Sequence, residues 1–155
     1  MSTIETGFAP GTASFTVGDV LSLRLPVGAL GADGLPVLRP AVIASVGDYL
    51  GEATYEIVPA AIGDDLPAHG TDIAARLGGA DGAETRFVPE FALKVCASAP
   101  MLADSHARLG RLPAPAHAAL VADMARRAAS RAAHLAARRK RAASRYARKS
   151  RSARL

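Results

Sequence analysis

Cys96 and four histidines are among the side chains of this sequence whose types suit nucleophilic or metal chemistry. Cys96 is the sole cysteine. It has no partner for an intrachain disulfide, which fits a reducing compartment. Its setting, Val95-Cys96-Ala97 in an apolar stretch, reads as a buried core thiol. His69, His106, His117 and His134 are scattered, and none is paired with cysteine at zinc-site spacing. They read as ordinary surface or helix histidines, and no cofactor or metal is expected. The glycine-rich stretches near Gly31 and at Gly78-Gly79 lack the Lys-Ser/Thr that a phosphate-binding loop needs. A Gly-x-Ser-x-Gly nucleophile elbow is also absent.

What remains is the distribution of charge. The 155 residues carry 19 Lys and Arg against 14 Asp and Glu. Every acid lies at or before Asp123, together with only seven bases, so the first part of the chain has a formal charge of −7. The other twelve bases follow with no acid among them, so the tail is +12. A segment of that charge binds polyanions unless something neutralises it. Arg126, Arg127, Arg131, Arg138, Arg139, Lys140, Arg141 and Arg145 are therefore candidate contacts to an RNA or DNA backbone, with Tyr146 among them. A solvated basic segment, an acidic partner or the acidic body itself are the other readings of the tail.

These groups need elements to hold them. Residues 1–14 are small, polar and punctuated by Gly and Pro, which reads as a loose N-terminal arm. Residues 15–26 alternate, with Leu21, Leu23 and Leu25 on one face of a strand and Val20, Ser22 and Arg24 on the other. A loop or hairpin connection over 27–36 follows. Residues 39–46 are β-branched and apolar, as in a strand buried on both faces, and 54–62 read as a third strand. Thr71 to Leu77 predicts a short helix, capped by Thr71 or Asp72 and stopped by Gly78-Gly79. Residues 85–88 and 91–96 predict two more strands, and 109–113 a connector. From about Ala116 to at least Arg139 the Ala, Arg and Leu content predicts a helix. Its first turns pair apolar positions at i, i+3 and i+4 and should pack on the body, whereas the later ones should not.

Short strands, one small helix and a terminal helix predict a mainly β fold with α elements. A small, partly open β-barrel with a covering helix fits that order best. The domain boundaries expected are an arm over 1–14, a barrel over 15–125 and a basic Ala/Arg-rich helical tail over 126–155. A basic segment followed by an apolar run does not open the chain, so a signal peptide is not expected. Nor does any stretch approach the roughly 18 apolar residues that span a bilayer. A cytoplasmic protein without membrane contact is the expectation.

One ordered set of motifs remains. Gly18-Asp19-Val20 opens a strand, a Gly-rich loop follows, and Arg39-Pro40-Ala41-Val42-Ile43-Ala44-Ser45 opens the next. Ile57-Val58-Pro59-Ala60-Ala61-Ile62 comes third, and Arg108-Leu109-Gly110-Arg111-Leu112 precedes the terminal helix. Over about residues 15–125 this order resembles the PemK/MazF family of type II toxin–antitoxin toxins. The resemblance implies an SH3-like barrel, a homodimer, metal-free cleavage of single-stranded RNA and a small antitoxin protein that blocks it.

Carried over by residue, Arg39 matches the family's catalytic arginine. There its fork would hold a scissile phosphate and stabilise charge as the 2′-hydroxyl attacks. Ser45 matches the Ser at the end of that strand, and Asp19 an architectural acid. Arg24 is a second phosphate-contact candidate. Where the family has its second catalytic residue, a Thr after the third strand, this chain has Gly63 followed by Asp64 and Asp65. Ser45 or Thr54 would have to stand in for it.

Three readings follow. One is a toxin-like endoribonuclease using Arg39. The second is a non-catalytic nucleic-acid-binding module on the same fold. The third is a protein-interaction module whose acidic body pairs with the basic tail. The plainest reading of Arg39 is a strand-edge arginine paired with an acid.

Overall fold

A computed structural model describes residues 14–79, 81–103 and 108–152. The predicted N-terminal arm and His106 lie outside these residues, apart from Ser14. Seven strands are described: β1 Asp19–Arg24, β2 Leu38–Tyr49, β3 Glu52–Pro59, β4 Ile73–Arg76, β5 Glu84–Phe87, β6 Leu93–Cys96 and β7 Arg108–Arg111. A 3-10 turn covers Pro89–Phe91, a short helix α1 covers Pro100–Ala103, and a 39-residue helix α2 runs from Ala114 to Ser152. The chain falls into two compact units that divide between Leu120 and Val121, so the first turns of α2 belong to the first unit.

Five strands form one sheet in the order β6-β3-β2-β1-β7, and β4 and β5 form a separate pair. All the pairings are antiparallel. The mainly β fold with a long terminal helix is as expected; among the described residues β6 pairs with β3 and β7 with β1, so the sheet is not closed into a barrel.

The centre of the sheet is where the apolar runs lie. Val20, Val42 and Val58 stand opposite one another across β1, β2 and β3, all fully buried. The alternate residues Leu21, Leu23, Ala41, Ile43 and Ile57 join Phe15, Leu25, Tyr55 and Leu102 in the main core cluster. Because β2 is central, its stretch Ala41–Ala44 is buried on both faces. Beyond Ser45 the β2–β3 hairpin is exposed on the β2 side.

Three expectations are corrected. Residues 71–77 do not form a helix. Ile73 and Ala75 are buried, Ala74 and Arg76 are exposed, and this alternation pairs β4 with β5. Asp72, expected as a cap, instead accepts hydrogen bonds from the His69 N–H and from Arg86. Pairing across strands here overrides the helical preference of Ala-Ala-Arg-Leu. The connector expected over 109–113 overlaps β7, an exposed edge strand on β1. Cys96, expected in the core, is half-buried because β6 is also an edge. The terminal helix is longer than the minimum predicted. Ala116 and Leu120 are buried near its start, and every residue from Ala128 to Ala147 is exposed.

Candidate functional site

Alternation along β2 places Arg39 on the same face as Ala41 and Ile43, at the end of the core cluster. Its side chain is fully buried, the largest such side chain in the described fold. Nη1 donates to the Ala60 carbonyl at 2.9 Å, and Nη2 donates to Asp65 Oδ2 at 2.7 Å. Nε has no hydrogen-bond partner among the described residues. The predicted partnership with an acid is therefore present, though on the central strand β2 and not at a sheet edge.

Asp65 reaches Arg39 through a tight turn after β3. The Ile62 N–H donates to Asp65 Oδ1 at 2.8 Å, and the Asp65 N–H returns to the Ile62 carbonyl at 3.3 Å. Gly63 sits in this turn at φ +58°, a conformation in which a β-branched residue is an outlier. Gly63 is thus the residue that lets the chain turn Asp65 back onto Arg39. Burial pushes the Asp65 carboxyl up, but hydrogen bonds from Arg39, Ile62 and Ala29 and the Arg39 charge bring it below the usual carboxylate range.

The loop between β1 and β2 covers this pair. The Ala29 N–H donates to Asp65 Oδ2 at 3.3 Å. Gly28 is the close approach. A Cβ built there would lie 2.3 Å from Asp65 Oδ2 and 2.6 Å from Arg39 Nη2, and its φ is +73°. Gly34, in the same loop and also at φ +73°, has nothing within 4 Å of the corresponding point. Gly28→Ala is therefore expected to lower the unfolding free energy by about 2–4 kcal/mol, combining backbone strain with overpacking. Gly34→Ala should cost only the backbone part, about 1–2 kcal/mol. Urea denaturation of the two variants checks the difference.

The other sequence-predicted residues are not gathered at Arg39. Arg24 donates to the Pro36 carbonyl at 2.8 Å and so fastens the end of the same loop. Ser45 lies six residues along β2 from Arg39, about 20 Å of strand, and its hydroxyl donates to Glu56 at 3.2 Å. Thr54, on the neighbouring strand opposite Gly47, is buried with its hydroxyl unpartnered among the described residues. Neither stands beside Arg39 to complete a catalytic pair. Asp19 is buried and bonded to the Thr16 N–H, with Arg108 and Arg111 in ion pairs at 3.4 and 3.1 Å. Its place is architectural, tying β7 to β1.

The second feature is the basic part of α2. Asp123 is buried and binds both Arg126 and Arg127, which draws these two toward the helix's own acid. Beyond them, Arg131, His134, Arg138, Arg141 and Arg145 recur at spacings of three and four, which is one face of a helix. The stripe is about 21 Å long from Arg131 to Arg145. Arg139 and Lys140 fall on other sides, and all of these residues are exposed. Opposite the stripe the helix carries mostly alanine, and the exposed Leu135 and Tyr146 flank the stripe, Leu135 lying four residues after Arg131 and three before Arg138.

Among the described residues, no group of three His, Cys, Asp or Glu side chains gathers to hold a metal, and no helix is long and apolar enough to cross a membrane. Comparison with protein-family models, curated proteins and solved structures finds no match.

Sequence reasoning missed Asp65 and Gly28 as partners of Arg39. The signal for Asp65 is local, an acid two residues after a glycine in the turn that follows β3. Gly28 gave no signal beyond its loop.

Proposed function

We propose that this chain binds RNA through the phosphate backbone, using the arginine stripe of α2, and that its body is a PemK/MazF-like, SH3-like module in which nuclease chemistry is latent. The observation that carries the reading is the exposed row Arg131, Arg138, Arg141 and Arg145 in a segment without an acid after Asp123. Such a row neutralises phosphates and releases their counterions without reading sequence. The sequence resemblance supports the family of the body and, with it, a homodimer, a small antitoxin partner and a cytoplasmic setting. The toxin-like endoribonuclease reading rests on the same resemblance. The buried Arg39–Asp65 pair favours binding over cleavage, because a catalytic fork has to meet its phosphate.

Full-length protein titrated with single-stranded RNA across a range of salt is expected to bind with a steep salt dependence and to leave the RNA intact on a gel. A flat salt profile would overturn the binding reading. Cleavage by the wild type that Arg39→Ala abolishes would replace it with the ribonuclease reading.

A further inference from the structure

We infer that the alanine face of α2 is a docking seam for an acidic α-helix of another protein. The seam runs from Ala128 to Tyr146, beyond the stretch that the family resemblance covers, and the inference does not rest on the RNA reading.

The helix repeats every seven residues. Ala129, Ala136 and Ala143 fall at one position of the repeat, and Arg131, Arg138 and Arg145 at another. Between these two columns lie Ala128, Ala132, Leu135, Arg139, Ala142 and Tyr146, at alternating steps of four and three. That is the spacing of the core positions of a two-helix coiled coil, here with alanine along one flank and arginine along the other. Every residue of the seam is exposed. Helices in proteins are held mainly by the packing of one face, and among the described residues nothing covers this one.

The side chains say what fits. Alanine on the seam and on its flank lets a second helix approach to about 8 Å, the short end of helix–helix distances. Leu135 and Tyr146 are its large knobs, about 16 Å apart along the axis. Charge decides whose helix it is. No acid follows Asp123 in the sequence. A second α2 laid along the seam would set bases against bases, with Arg139 inside the contact. A helix with Asp or Glu facing Arg138, Arg139 and Arg145 instead makes interhelical ion pairs, the device by which flanking charges select a coiled-coil partner. RNA on the arginine stripe takes one border of the seam and leaves the alanines open. The acidic helix takes the seam and that border together, so the two exclude one another at Arg138 and Arg145.

The test titrates the full chain, without RNA, with a synthetic peptide of about four heptads that carries Leu and Ala at the core positions and Glu at both flanks. A peptide of the same composition, with Leu and Glu moved off the seven-residue spacing, controls for charge alone. Calorimetry at about 0.15 M salt is expected to give one ordered peptide per chain, with a gain in helical circular dichroism. The control should bind at least about ten-fold more weakly. Leu135→Gln combined with Ala142→Gln keeps every charge and should weaken the ordered peptide about ten-fold. Both residues are exposed, so thermal stability should hardly change. Equal binding of the two peptides would overturn the proposal, because bulk charge would then suffice. So would a double variant that binds like the wild type, or a wild type that pairs with itself through Leu135 in sedimentation equilibrium. A failure of RNA to bind bears on the RNA reading alone and leaves these results standing.

Discussion

Asp65→Ala is expected to lower the unfolding free energy by about 3–5 kcal/mol, the usual cost of leaving one member of a buried ion pair without the other. Arg39 is fully buried, so its charge has no water to turn to when the carboxylate is removed. The Ile62 and Ala29 N–H groups lose their acceptor in the same step. Urea denaturation at neutral pH measures the loss. Arg39→Met combined with Asp65→Ala should recover most of it, because the desolvated charge is then absent. A double variant as unstable as the single one would show that packing, not charge, sets the cost.

The pH dependence follows from the same geometry. The folded-state carboxyl of Asp65 titrates below its ordinary value. Its stabilisation is therefore fully present above the unfolded value of about 3.9 and is lost as pH falls through the lower folded value. The stability gap between wild type and Asp65→Ala should narrow over that acid range and stay constant between neutral pH and about pH 5.

The second large effect concerns affinity. Replacing Arg138, Arg141 and Arg145 together by Gln removes three charges from one helix face. If each contacts one phosphate of a single strand, the slope of log K against log salt becomes shallower by about 2. The two binding curves should converge toward 1 M salt, and at 0.15 M the variant should bind about 50-fold more weakly. The corresponding Arg→Lys triple variant keeps the charges and should keep the slope. Equal slopes for wild type and the Gln variant would remove the stripe from the interface. Because these residues are exposed, thermal stability should hardly change, which separates lost binding from lost folding.

Much of the fold is legible in local pattern. The β1, β2 and β3 segments announce themselves by alternation or by continuous β-branched runs, and α2 by composition. Residues 71–77 prefer helix in isolation, yet Ile73–Arg76 form a strand. The ladder to β5 supplies what the local preference cannot, a pairing partner and a buried face for Ile73 and Ala75. β7 was invisible for the converse reason: all four of its residues are exposed, so it carries no apolar signature.

The sequence by itself determined the electrostatic division, an acidic body and a tail with twelve bases and no acid, because charge is a property of composition. It also determined that the tail is helical, and its spacing already encoded the arginine stripe. Only the tertiary structure decided the state of Arg39. Its role depends on Asp65, Gly28 and Ala60, which lie 26, 11 and 21 positions away in the chain, and on a turn whose direction is set by Gly63 at positive φ. Local pattern reports which face a residue takes; which groups meet it there is fixed only when distant segments fold onto one another.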